Sequence, residues 1–242
     1  MSGHSKWSNI KHKKEKTDAQ RGKIFTKIGR EIAIAVKEGG SDPDNNSKLR
    51  DVIAKAKANN MPGDTILRSI KKAAGELGNV NYEEVIYEGY APGGVALIVR
   101  AVTDNRNRTA GEMRYIFDKA GGSLAGAGCV SWMFERMGVI VIERTPETDE
   151  DEIMMEALEA GATDVVASDD YFEVTTEPAE FSGVRERFEA LGLGLVSAGI
   201  TLVPQTTVPV PEEAADALNA IIEGLEDNDD VQEVTSNAQA ED

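Results

Sequence analysis

The amino-acid sequence predicts an α+β protein, an N-terminal three-helix bundle followed by two α/β domains, one of them ferredoxin-like. Three observations lead there. Up to about residue 75, apolar residues recur at three- and four-residue steps, the helical period. From Val80 the pattern turns to short β-branched runs separated by glycine and proline turns. From Val139 onward the elements fall into the order βαββαβ, the split ferredoxin-like arrangement.

The elements follow in order. Asp18 can cap a helix whose Ile24, Phe25, Ile28, Ile32 and Val36 share a face, and Gly39-Gly40 ends it. Ser47 can cap a second helix carrying Leu49, Val52, Ile53 and Ala56; Asn59-Asn60-Met61-Pro62-Gly63 breaks it, since proline disfavours a helical residue before it. Asp64 can cap a third helix, with Ile66, Leu67 and Ile70, that stops near Gly75. Strands are expected at 85–89 and 95–102 around the turn Ala91-Pro92-Gly93-Gly94, then a helix over 108–119 and a strand over 130–134. The βαββαβ set comprises 139–142, a helix near 149–160, strands near 164–168 and 171–176, a helix near 180–191 and a strand near 198–203. A helix near 212–226 and a strand near 231–235 remain. The middle sheet lacks cover, which points to their return to it. The domains are then 1–78, a discontinuous 79–135 with 205–242, and an insertion at 136–204. A tail packed on the last domain is the other placement.

Charge is the next informative property. The net charge is −17, but residues 1–78 hold 17 Lys+Arg against 9 Asp+Glu, and the rest hold 9 against 34. No Lys or Arg follows Arg187. Such asymmetry marks a segment facing nucleic acid or a membrane surface. No apolar run reaches the ~18 residues of a membrane span, and no apolar stretch follows the basic start, so neither a span nor a secretory signal is expected. Cys129 is the single cysteine, so a reducing, cytoplasmic setting is the simple expectation.

The binding candidates are Lys6, Lys11, Lys13, Lys14, Lys16, Arg21, Lys23, Lys27 and Arg30, with Trp7 among them to stack on a base or sugar. Lysine suits phosphate because it is a compact charge that displaces counterions. If Lys11, Lys13, Lys14, Lys23 and Lys27 each contact a phosphate, the log–log salt slope on duplex DNA is about −4 to −5. The bland reading is a solvated tail, which the opposite charge of the remaining chain disfavours. Lys48, Arg50, Lys55, Lys57, Arg68, Lys71 and Lys72 can extend the positive face or simply coat helix surfaces. Arg106 and Arg108, between a strand and a helix, can grip phosphate or pair with local acids while Asn105 or Asn107 caps the helix. The glycine-rich stretch 121–129 lacks the lysine and spacing of a Walker loop. Val130-Ser131-Trp132-Met133-Phe134 reads as core more readily than as a partner surface.

Catalysis finds little in the sequence. His4 and His12 sit in the basic tail, Cys129 has no histidine in its domain, and the pairs Glu83-Glu84, Asp169-Asp170 and Asp229-Asp230 read as solvated edges. No enzyme, cofactor or metal is expected.

The opening Met1-Ser2-Gly3-His4-Ser5-Lys6-Trp7-Ser8-Asn9-Ile10-Lys11-His12-Lys13-Lys14 closely resembles the start of the YebC/PmpR family. So do Gly22-Lys23-Ile24-Phe25-Thr26-Lys27, Asn59-Asn60-Met61-Pro62, Tyr87-Glu88-Gly89-Tyr90-Ala91-Pro92-Gly93-Gly94 and Thr103-Asp104-Asn105-Arg106-Asn107-Arg108-Thr109. The resemblance spans nearly the whole chain. It implies three domains, no catalytic residues, no cofactor, and transcription regulation through DNA binding. Its alternative is a ribosome-associated factor on ribosomal RNA that assists translation elongation. It leaves DNA against RNA, and oligomeric state, open. A lysine-rich surface without a recognition helix favours phosphate over base edges, which suits RNA shape at least as well as promoter DNA. An acidic adaptor for proteins is a third class, in which the N-terminal charge is incidental.

Overall fold

The computed structural model describes residues 18–75, 81–146 and 148–239, with side chains from Arg21 onward. Two compact units form: residues 18–130 with Val210–Ser236, and Ser131–Pro209 with 237–239.

The first unit opens with helices α1 (Asp18–Gly39), α2 (Ser47–Ala58) and α3 (Gly63–Ala73). Ile28, Ile32, Ala35 and Val36 of α1 bury against Leu49, Val52, Ala56, Met61 and Ile66, while Ile24, Phe25, Ile53 and Ile70 lie at the rim. Two caps differ from expectation. Asn46, not Ser47, caps α2: its Oδ1 accepts from the Leu49 amide at 3.0 Å, and its Nδ2 donates to the carbonyls of Ala35 and Gly40 at 2.8 Å. A side chain that reaches both ends of the α1–α2 turn outcompetes a serine that reaches one. Pro62 holds the N-cap position of α3 without a side-chain bond, and Asp64 lies in its first turn, where it complements the helix dipole. Leu67, expected in the core, is 58% exposed, because the face of Ile66 and Ile70 is the one turned inward.

The same unit continues as a four-stranded antiparallel sheet of order β3-β1-β2-β8, with β1 (Glu83–Ala91), β2 (Val95–Thr103), β3 (Ser123–Ala125) and β8 (Val231–Ser236). β1 and β2 form a hairpin closed by Ala91 opposite Val95, and the turn between them holds Gly93 and Gly94 at φ 82° and 78°, where a side chain is strained. β8 lies against β2, Leu97 opposite Ser236. Helices α4 (Arg106–Lys119) and α7 (Glu212–Asp227) pack on each other and on this sheet. Their Met113, Phe117, Leu218, Ile221 and Leu225 are buried. At Gly89 the Phe117 ring and the Ser123 carbonyl fill the place of a Cβ, so α4 and β3 close directly onto β1. α1 packs against β2, so that strand is covered on both faces and reads as a continuous apolar run broken by Arg100.

The second unit runs β4 (Phe134–Glu143), α5 (Glu150–Glu159), β5 (Ala162–Ala167), β6 (Tyr171–Thr176), α6 (Phe181–Ala190) and β7 (Leu195–Pro204). Its antiparallel sheet has the order β5-β6-β4-β7, the ferredoxin-like pattern. Ile140 and Ile142 meet Phe172, Val174, Ile153, Val184 and Phe188 under the two helices. The separate strand expected at 130–134 is absent: Ser131–Met133 is a single 3-10 turn, and one strand runs from Phe134 through 139–142. The polar Glu135-Arg136 pair hides that continuity, while pairing with β7 from Pro204 to Leu195 imposes it. Trp132 is 70% exposed, so of the apolar group Trp132, Met133 and Phe134 only Phe134 is buried.

Candidate nucleic-acid interface

Lys23, Lys27 and Arg30 are spaced i, i+4, i+7 and therefore share one face of α1. That face meets the end of α7 and the turn after it. The Lys23 ammonium pairs with the Asp227 carboxylate, and Lys27 Nζ donates to the Glu226 carbonyl at 2.6 Å. The Arg30 guanidinium donates to the Asp229 carbonyl and to Asp230 Oδ1, and stacks 5.7 Å from the Tyr82 ring centroid.

Asp230 is the hub. It is only 3% exposed, and its second oxygen accepts from Arg108 at 2.9 Å and from the Thr109 hydroxyl at 2.6 Å. Its own backbone is tied in as well: its amide donates to Asn228 Oδ1 at 2.9 Å, and its carbonyl accepts from Val102 at 2.7 Å. Burial disfavours the charged carboxylate, but the hydrogen bonds from Thr109 and Arg108 and the charge of Arg30 outweigh it and hold Asp230 below its ordinary pKa. Arg108 is raised in turn by its bonds to Asp230 and Asp104, the latter at 2.9 Å. The pair Asp229-Asp230 is thus not a solvated edge; it is split, Asp229 exposed and Asp230 buried. Lys23, Arg30, Asp104, Arg108, Glu112 and residues 227–230 line a cleft of about 450 Å³.

A second charge cluster joins α1 to the sheet. Glu31, 9% exposed, accepts from Lys55 at 2.7 and 2.8 Å and faces Arg100 at 3.5 Å, with Glu84 and Glu233 also around Arg100. Burial lowers the Arg100 pKa, and the three carboxylates more than reverse this. The glycine-rich stretch has its own anion: buried Glu88 accepts from the Gly128 and Val130 amides at 2.7 Å each. Those donors are turned onto the protein's own carboxylate.

The remaining candidates divide clearly. Arg106 is exposed in the first turn of α4, because Asn105 caps that helix with an Oδ1 that accepts from the Arg108 amide at 3.1 Å. Lys48 pairs with Glu38 at 2.7 Å, and Arg50 donates to the carbonyls of Pro43 and Asp44. Lys57 of α2 and Arg68, Lys71 and Lys72 of α3 are exposed and form no ion pair among the described residues. Arg21 is exposed. Lys6, Trp7, Lys11, Lys13, Lys14 and Lys16 lie outside the described residues. Among the described residues, no group of three or more His, Cys, Asp or Glu side chains is placed to hold a metal ion, and no helix is long and apolar enough to cross a membrane.

Residues 5–76 match the TACO1/YebC protein N-terminal domain, and residues 82–238 match the TACO1/YebC second and third domain. The chain belongs to the TACO1/YebC family. Curated relatives match over nearly the full length of both chains. One from Acetivibrio thermocellus is 62% identical over 238 residues, covering 98% of each chain. One from Clostridium tetani is 60% identical, covering 99% of this chain and 97% of its own. Both carry the name "probable transcriptional regulatory protein". A crystal structure of a conserved hypothetical protein from Aquifex aeolicus superposes with a TM-score of 0.84 at 48% identity, covering 93% of this chain and 92% of that one.

Proposed function

We propose that this chain is a cytoplasmic, non-enzymatic regulator of gene expression that binds DNA through the phosphate backbone. The observation that carries the reading is the exposed face of α3. Arg68, Lys71 and Lys72, spaced i, i+3, i+4, are exposed there and form no ion pair among the described residues, with Asp64 one turn before Arg68, in a chain whose residues after 78 hold 9 Lys+Arg against 34 Asp+Glu. Lys6, Lys11, Lys13, Lys14, Lys16 and Arg21 extend this charge along the sequence, with Trp7 among them to stack on a base or sugar. The relatives named as transcriptional regulatory proteins support a regulatory role. Three cations on one helical turn, without Asn or Gln beside them, favour phosphate contact over base-edge readout, so sequence preference comes from DNA shape.

The test is fluorescence anisotropy of a labelled 30-base-pair duplex against an RNA hairpin of similar length, over a salt series. The reading expects duplex binding with a steep log–log salt slope. Arg68→Ala/Lys71→Ala/Lys72→Ala should flatten that slope by about 2.7, at ~0.9 per lost phosphate contact. Preference for the RNA hairpin would overturn DNA as the partner and turn the reading to ribosomal RNA. An unchanged slope would make the α3 cations spectators.

A further inference from the structure

The end of α7 concentrates negative charge. Its last turn carries Glu226 and Asp227 and no basic residue, Glu223 lies just before it, and a helix C-terminus is itself the negative end of the dipole. Carboxylates and outward carbonyls therefore crowd one turn, a local field of the same sign as a nucleic-acid backbone. What neutralises it is the basic face of α1 together with Arg108: Lys23 on Asp227, Lys27 on the Glu226 carbonyl, Arg30 on Asp229 and Asp230, and Arg108 on Asp230.

We propose that Lys23, Lys27 and Arg108 form a second phosphate-binding site whose outer part is filled at rest by the chain's own acidic turn, the Asp227 carboxylate on Lys23 and the Glu226 carbonyl on Lys27, which nucleic acid must displace while Asp230 stays in place. This rests on the DNA-binding reading above. The contacts fall into an inner and an outer part. The Arg30 and Asp230 side chains are 14% and 4% exposed, and that pair stays closed. The Lys23 and Asp227 side chains are 43% and 75% exposed. An exposed pair of this kind is weak and salt-screened, so a polyanion can exchange for it. Arg108, 43% exposed, keeps one side open to the cleft while it holds Asp230. Binding at α1 is thus weakened by internal competition, and the acidic turn sets its strength without touching DNA.

The experiment uses the full chain and the same 30-base-pair duplex at low salt. Asp227→Asn/Asp229→Asn removes two exposed charges from the cleft and leaves Asp230 in place. Duplex affinity should rise about three- to tenfold. Asp169→Asn/Asp170→Asn, an equal charge change at exposed positions of the other unit, should alter affinity less than twofold. Adding Lys23→Ala to the first variant should abolish the gain. Wild-type binding that the Asp227/Asp229 variant does not strengthen, or that the control strengthens equally, overturns the competition and leaves the DNA reading standing. Absence of duplex binding by every variant overturns the reading beneath it.

Discussion

Replacing Asp230 with alanine should destabilise the first unit by about 2–4 kcal/mol. Deleting one partner of a buried ion pair costs about 3–5 kcal/mol, because the other charge is left unsolvated. Here the loss is smaller: Arg108 keeps Asp104 at 2.9 Å, and Arg30 keeps the Asp229 and Val102 carbonyls. Thr109, fully buried, loses its 2.6 Å carboxylate acceptor. Urea denaturation followed by far-UV circular dichroism measures this. With a slope of about 2 kcal/mol per molar, the midpoint should fall by about 1–2 M. Asp227→Ala, which removes an exposed pair, should cost at most about 1 kcal/mol and serves as the comparison. The pH dependence follows from the direction of the shift. A carboxyl held below its ordinary value of 3.8 contributes stability that is complete above that value and is lost as pH falls through the lower folded-state pKa. The gap between wild type and Asp230→Ala should therefore narrow as the pH is lowered from about 5 to below 3. A midpoint for Asp230→Ala no lower than that of Asp227→Ala, or a gap constant with pH, would refute the hub.

Two further substitutions probe the supports of this unit. Asn46→Ala removes a cap bond and two bonds to the α1–α2 turn, and should cost about 2–3 kcal/mol by the same urea assay; Asn46→Asp, which keeps the cap acceptor and loses the donor, should fall between. Glu88→Ala leaves the Gly128 and Val130 amides without their acceptor, so hydrogen exchange at those two amides should accelerate by at least tenfold while Phe117 keeps its protection.

The elements that sequence predicts well are those decided within one turn or one strand. The apolar spacing of α1 and the alternation around Ala91-Pro92-Gly93-Gly94 report local periods, and both elements form where those periods run. The errors fall where a distant group intervenes. Asn46 becomes the cap because the α1 carbonyls lie beside it. β3 forms from Ser123–Ala125 in a glycine-rich stretch because β1 offers Gly89, Tyr90 and Glu88 as pairing partners. Strand 134–143 is continuous because β7 pairs along its length, against the polar break in its own sequence.

The candidate site divides in the same way. Sequence alone determines that positive charge gathers in the first third of this chain and negative charge in the rest, because composition needs no geometry. It also locates most helices and strands, whose periods are local. Which cations stay exposed is a tertiary matter. Lys23, Lys27 and Arg30 meet acceptors 204, 199 and 200 residues away, so no window of sequence pairs them, whereas Arg68, Lys71 and Lys72 look no different on paper and stand exposed. Charge is a property of the residue; its availability depends on what the folded chain brings within hydrogen-bonding distance.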